Sequence, residues 1–335
     1  MREASQSTHC SVARTLEIVS DPWTFLLLRE AYFGVRRFDR FKSNLGIPGS
    51  TLASRLQRLV KDGLFKQVRY QDSPTRHEYK LTEKGRDLYP SMLILMKWGD
   101  RWLAGPKGPP LSILHKACGQ PSSALVTCSH CNREIDIKDV TYRDGPGAGR
   151  GEGTARRRLR RSSNPDNFLR GREDSVARTL KIIGNKWTFL ILREAFFGVR
   201  RFDEVRRNLG ISTNILSDRL QMLVGYGIFQ RRQYSTRPKR FEYVLSERGR
   251  DLYSVMIAFL KWGDKWLAVT AGPPLVLHHT PCGHDFVPVL ACSVCGSAVD
   301  NIDINYMLGP GAAPAEAADG SRPAAAAEAP TPPAA

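Results

Sequence analysis

Apolar residues recur at helical spacing through the first third of the chain. Val12–Val19 and Trp23–Phe33 are mainly apolar, the second closed by Gly34, and Phe38–Leu45 is a shorter stretch stopped by Gly46. In Ser50–Lys61, residues Leu52, Leu56, Leu59 and Val60 fall at i, i+4, i+7 and i+8, which predicts one apolar helical face. Ser50, Thr51, Ser54, Arg55, Gln57, Arg58 and Lys61 occupy the other face, and Gly63 stands where a helix ends. The period then shortens. Leu64–Tyr70 and His77–Leu81 are partly aromatic and β-branched, and the turn-rich Gln71-Asp72-Ser73-Pro74-Thr75 joins them, so a hairpin is predicted. Thr82-Glu83-Lys84-Gly85 opens a long helical segment through Leu88, Leu95, Met96, Trp98 and Trp102, which Pro90 either kinks or divides.

The whole pattern then returns without a gap at an offset of 164 residues, Ser11 matching Ser175 and Lys97-Trp98-Gly99-Asp100 matching Lys261-Trp262-Gly263-Asp264. From Ser11 to Pro110, 57 of 100 positions are identical. A repeat of this length is a domain with its own core, not a solenoid unit. The chain is therefore a covalent pair of near-copies, as expected of a protein that meets a two-fold symmetric target.

Lys and Arg exceed Asp and Glu by 17, which favours a polyanionic partner. Part of that excess is the run Arg156-Arg157-Arg158-Leu159-Arg160-Arg161, equally well a solvated linker. No apolar stretch reaches 18 residues and the first ten lack the apolar core of a signal peptide, so a cytoplasmic location without a membrane partner is expected.

Helix, helix, Gly-containing turn, amphipathic helix and hairpin, in that order, make a winged helix-turn-helix. Cys10-Ser-Val-Ala-Arg-Thr-Leu, Trp23-Thr-Phe-Leu-Leu-Leu-Arg-Glu, Arg37-Phe-Asp, Leu52-Ala-Ser-Arg-Leu, Lys61-Asp-Gly-Leu, Glu78-Tyr-Lys-Leu-Thr-Glu-Lys-Gly and Trp98-Gly resemble the HxlR family of bacterial transcriptional regulators. The resemblance covers about Cys10–Gly105 and Asp174–Val269. It implies a dimeric regulator of double-stranded DNA whose helices outside the reading motif form the dimer contact. Members usually carry one such domain per chain, whereas here two would pair internally. That pairing would bury Trp98, Trp102, Trp262 and Trp266.

A helix in the major groove presents its N-terminal polar residues to base edges, while the wing meets phosphate or the minor groove. That places Ser50, Thr51, Ser54, Arg55 and Arg58 at the groove in copy one, with Arg76 and His77 near the wing. In copy two the groove would meet Thr213, Asn214, Ile215, Ser217, Asp218, Arg219 and Met222, and the wing Arg237, Lys239, Arg240 and Phe241. Arg55 and Arg219 follow the family pattern and either face bases or form intradomain salt bridges. Pro48-Gly49-Ser50-Thr51 becomes Ser212-Thr213-Asn214-Ile215, so either the half-sites differ or one copy is mainly a pairing partner. Ser212 is a good N-cap and Pro48 is not.

Six of the seven cysteines form two triplets, each with a histidine. His115-x2-Cys118-x9-Cys128-x2-Cys131 returns as His279-x2-Cys282-x9-Cys292-x2-Cys295. Three thiolates and an imidazole complete a tetrahedral zinc shell, so two structural zinc ions, one per copy, are one reading. Reduced structural thiols and a redox switch are the others, and His130 and His284 are substitute ligands without counterparts. Cys10 precedes the first helix beside Arg14, where some members of the family carry a sensing thiol; a quiet structural thiol is the alternative.

The fold class is mainly α with small β wings, an α+β class. The divisions are an N-terminal arm (1–10), winged domains (11–105 and 174–269), Cys-rich segments (106–143 and 270–308), a flexible basic linker (144–173) and a disordered Ala/Pro tail (309–335). The expected function is a sequence-specific regulator, a repressor, that acts as an internal pseudo-dimer on an imperfect inverted repeat, with a small-molecule or redox effector. The alternative is a zinc-stabilised interaction scaffold with weak DNA affinity. No phosphate loop, nucleophile–base pair or paired acids recur, so an enzyme is not expected.

Overall fold

The computed structural model describes residues 10–73, 75–149, 174–268, 271–300 and 303–312. The arm before Cys10, the basic linker at 150–173 and the tail from 313 lie outside the described residues. Copy one contains α1 (Ser11–Val19), α2 (Pro22–Tyr32), α3 (Phe38–Leu45), α4 (Gly49–Lys61), the hairpin β1 (Phe65–Gln71) and β2 (Arg76–Leu81), α5 (Glu83–Arg86) and α6 (Tyr89–Leu103). Pro90 divides rather than kinks the long segment, because it sits in the first turn of α6, where no amide partner is lost. Strands β3 (Leu111–His115), β4 (Gln120–Ser122), β5 (Ala124–Cys128) and β6 (Val140–Asp144) follow.

Copy two repeats the order as α7 (Ser175–Ile183), α8 (Lys186–Phe196), α9 (Phe202–Leu209), α10 (Thr213–Gly225), β7 (Phe229–Thr236), β8 (Lys239–Leu245), α11 (Glu247–Arg250) and α12 (Tyr253–Trp266). Its last strands are β9 (Leu275–His279), β10 (His284–Phe286), β11 (Pro288–Cys292) and β12 (Ile304–Leu308). Among the described residues no helix is long and apolar enough to cross a membrane.

The copies are joined by exchange. Helix α1 packs on α12 and α6 on α7, so each N-terminal helix lies against the other copy's long helix. The strands do the same. β12 pairs with β3, β6 with β9, and β5 with β11 in antiparallel register from Cys128 opposite Pro288 to Ala124 opposite Cys292. The Cys-rich segments are thus one shared β module. Two boundaries move as a result. Asp144–Gly147 belongs to that module through the Gly145 and Gly147 amides, which donate to Pro274 and Pro273 at 3.0 and 3.1 Å, and is not linker. Likewise Gly309 and Gly311 donate to Pro110 and Pro109 at 2.9 and 3.0 Å, so ordered chain extends past residue 308.

The repeated Trp-Gly-Asp motif builds the crossing. A Cβ on Gly99 would meet the Ser175 carbonyl and lie 2.6 Å from Thr179 Oγ1; one on Gly263 would lie 2.6 Å from both Ser11 O and Thr15 Oγ1. Trp98 and Trp262 are buried, but not ring against ring. Each indole N–H donates to a carbonyl of the opposite copy, Arg248 at 3.0 Å and Lys84 at 2.9 Å. Trp102 and Trp266 donate to Asp251 and Asp87 at 2.7 and 2.9 Å, again across the pair.

Asp100 accepts from the Ser175 hydroxyl and Asp264 is bonded to Ser11, and burial raises both carboxyls from 3.8 to about 6, opposed by those hydroxyls and by Arg178 and Arg14. A carboxyl that binds its proton more tightly when folded weakens the fold as pH rises from about 4 to 6, and the full penalty stands above 6. The rise corresponds to at most about 3 kcal/mol per carboxyl; with part of each in solvent, about 1 kcal/mol is expected. Asp100→Asn with Asp264→Asn should therefore be more stable than the parent at pH 7.5 and lose that advantage by pH 4. Urea midpoints across that range check it, and parallel pH profiles would rule it out.

Candidate nucleic-acid interface and metal centres

Helices α4 and α10 stand on a buried leucine row. Leu52, Leu56 and Leu59 of α4 and Leu216, Leu220 and Leu223 of α10 are all buried, as their spacing predicts. Gly46 and Gly210, left-handed at φ 59°, turn the chain from α3 and α9 into them. Ser212 caps α10, its hydroxyl accepting from the Ile215 amide at 3.4 Å, while Pro48 offers α4 no side-chain cap.

Ser50 and Ser54 are exposed and Thr51 half-buried near the start of α4; Thr213, Asn214, Ser217 and Asp218 are exposed on α10. Ile215 is 39% exposed there, an apolar side chain with no place in the core. Arg76, Arg237, Lys239 and Arg240 are exposed on the wings, with His77 half-buried at the base. Arg231 and Lys239 stack on Phe241 at 3.5 and 5.6 Å from the ring centroid, which stiffens the second wing.

Two arginines expected at the groove are occupied elsewhere. Arg55 pairs with Asp21, the N-cap of α2, and Arg58 reaches Asp62 at 3.4 Å and the Glu17 carbonyl. Both tie α4 to its own domain. The counterpart of Asp21 in copy two is Asn185, an uncharged residue, and the Arg219 guanidinium lies 3.8 Å from Met222 Sδ.

The cysteines assemble differently from the within-copy expectation. His115 and Cys118 meet Cys292 and Cys295, and His279 and Cys282 meet Cys128 and Cys131, all ligand atoms of each tetrad lying within 4.8 Å of one another. In the first, His115 Nδ1 is 3.5 Å from Cys118 Sγ and 3.4 Å from Cys295 Sγ, with Cys118 and Cys292 sulfurs 4.0 Å apart. In the second, His279 Nδ1 is 3.3 Å from Cys282 Sγ and 3.4 Å from Cys131 Sγ, with Cys128 and Cys282 sulfurs 3.9 Å apart. Both imidazoles are 1% exposed. The β5–β11 pairing causes the exchange, because it carries each Cys-x2-Cys turn to the other copy's His-x2-Cys arm.

The turns are shaped alike. Amides of His130 and Val294 point at Cys128 and Cys292 sulfurs, both at 3.4 Å, and Asn132 and Gly296 follow with positive φ. Burial pushes the Cys292 thiol up, but the amides of Cys295 and Val294 outweigh it and bring it to about 6. His130 and His284 stack at 3.5 Å beside the second tetrad, on the exposed side. Each tetrad suits a thiophilic metal ion by its donor set. Cys10 stands apart from both, 7% exposed, against the buried Arg193 of copy two. On the other side Asp174 fills the equivalent position and pairs with Arg29.

The model of the HxlR-like helix-turn-helix family matches residues 18–106 and 182–271, more than half of the chain. Among relatives, an uncharacterized HTH-type transcriptional regulator of Mycobacterium tuberculosis is 52% identical over 137 residues, 41% of this chain and 87% of the relative. Another, of Synechocystis, is 40% identical over 101 residues, 30% of this chain and 75% of that protein. A solved structure of PA1607, a candidate transcription factor, aligns at TM-score 0.31 and 36% identity over 33% of this chain and 78% of that one.

Proposed function

The chain belongs to the HxlR-like helix-turn-helix family of DNA-binding transcriptional regulators, not of enzymes, and we propose that its two copies act on DNA as one two-headed unit. The carrying observation is a matched pair of reading helices on one exchanged frame: α4 and α10 keep the same leucine rows and turn their polar N-terminal halves outward. The unit works in the cytoplasm as a repressor, by occupying an imperfect inverted repeat whose half-sites lie about one helical turn, roughly 34–36 Å, apart. Ser50, Thr51 and Ser54 read one half-site, and Asn214, Ile215, Ser217 and Asp218 the other. The exposed wing cations Arg76, Arg237, Lys239 and Arg240 hold phosphate. Arg55 and Arg58 orient α4 instead of reading it.

Its cofactor is structural zinc, two ions per chain. Its effector, small-molecule or redox, acts where the copies meet, since buried Cys10 lies there.

Footprinting with the full chain on its own upstream region should give two protected half-sites from one chain per duplex. Counterion release by several phosphate contacts makes the affinity fall steeply with salt, on the order of tenfold or more between 50 and 200 mM. Arg76→Ala should lessen that slope by about one. No footprint, or an affinity indifferent to salt, would leave the scaffold reading in its place.

A further inference from the structure

We propose that each zinc ion is ligated by both copies, so that the metal pair is a clasp between them. One ion takes His115, Cys118, Cys292 and Cys295; the other takes Cys128, Cys131, His279 and Cys282. The inference rests on the structural-zinc reading above but goes beyond it, since zinc held within each copy would satisfy that reading equally.

The geometry carries it. Zn–S bonds of about 2.3 Å and Zn–N bonds of about 2.0 Å at tetrahedral angles set sulfur–sulfur separations near 3.8 Å and sulfur–nitrogen separations near 3.5 Å. The cross-copy sulfurs stand 4.0 and 3.9 Å apart, and the Nδ1–Sγ distances run from 3.3 to 3.5 Å. Sulfurs in a disulfide would be about 2.05 Å apart, and all seven cysteines are free. Two independent turns supply each shell. Gly119 and Gly283, at φ 66° and 70°, bend the His-x2-Cys arms, and Asn132 and Gly296, at φ 58° and 71°, bend the Cys-x2-Cys turns. Both turn types aim backbone around a sulfur, as second-shell donors to a metal thiolate do.

The ions close the shared β module at both ends of the β5–β11 pair. A copy alone owns one arm and one turn, but β5 carries its turn to the other copy's arm. Each occupied site therefore ties one copy to the other on top of the helix crossing, and the clasp fixes the separation of α4 from α10 that an operator sees.

The test counts zinc retained by the full chain after competition with EDTA. The parent should keep two ions. Cys118→Ser with Cys292→Ser damages one tetrad and should keep one, whereas Cys118→Ser with Cys128→Ser damages both and should keep none. The opposite pattern means within-copy ligation and overturns the clasp while leaving structural zinc standing. A folded parent that holds no zinc overturns both. Should either variant fail to fold, mild oxidation of the metal-free parent and peptide mapping decide. Cross-links Cys118–Cys292 and Cys128–Cys282 are expected, and Cys118–Cys128 with Cys282–Cys292 in their place would overturn the clasp.

Discussion

Alanine at both Gly99 and Gly263 should force the two copies apart. Each new Cβ would fall inside the contact distance of the facing helix, against the Ser175 carbonyl and Thr179 on one side and against Ser11 and Thr15 on the other. Backbone carbonyls cannot rotate away as a flexible side chain would, so α6 must retreat from α7 and α12 from α1. Overpacking of this kind costs about 1–3 kcal/mol per site. Retreat also loosens four cross-copy indole hydrogen bonds, from Trp98, Trp102, Trp262 and Trp266. A loss of about 3–6 kcal/mol in the double variant is the expected scale, read as a fall in urea midpoint. Each winged domain retains its own leucine row, so helical circular dichroism should survive in part. Gly105→Ala is the control, because a Cβ there meets nothing within 4 Å. If the double variant unfolds at the same midpoint as the control, the crossing is not what holds the pair together.

That glycine shows where sequence reading stops. Lys97-Trp98-Gly99-Asp100 is conspicuous as a repeated tetrapeptide, yet a glycine inside a helical pattern looks only like a weakness of about 1 kcal/mol. Its purpose depends on the carbonyl of another copy, 76 positions away at Ser175, and no local periodicity encodes that approach. Helices α4 and α10 were legible because their leucine spacing answers to a core in the same domain. α4 begins one residue earlier than the pattern suggests, at Gly49, since a helix N-terminus is set by backbone geometry rather than by the apolar row.

The metal residues were legible as types and not as sets. Identical spacing in both copies makes either partition of eight ligands into two tetrads equally consistent with the sequence. Only strand exchange, through β5 with β11, separates the alternatives. The surroundings of Arg58 were hidden for a related reason. Its face of α4 is polar, but the side chain runs back to Asp62 and the Glu17 carbonyl, partners that a helical wheel does not contain.

Specificity should follow the few exposed positions at which α4 and α10 differ. Pro48→Ser, Gly49→Thr, Ser50→Asn, Thr51→Ile, Ala53→Ser and Ser54→Asp would give copy one the reading surface of copy two without touching Leu52, Leu56 or Leu59. The helix should keep its seat, since Arg55 still pairs with Asp21, and it gains the N-cap that Ser212 provides on α10. Asparagine pairs best with adenine, a carboxylate can accept from cytosine N4, and an exposed isoleucine suits a thymine methyl. The graft should therefore move the preferred operator from an imperfect repeat towards a symmetric one built on copy two's half-site. About 1–3 kcal/mol per changed base pair is expected, roughly tenfold to a hundredfold in relative affinity. Selection from a randomised duplex library, run on parent and graft at equal salt, measures the shift. A parent chain that already prefers a perfect palindrome over every asymmetric site would show that these side chains do not discriminate. Discrimination would then have to come from DNA shape and wing contacts, which Arg76, Arg237 and Lys239 would share between the halves.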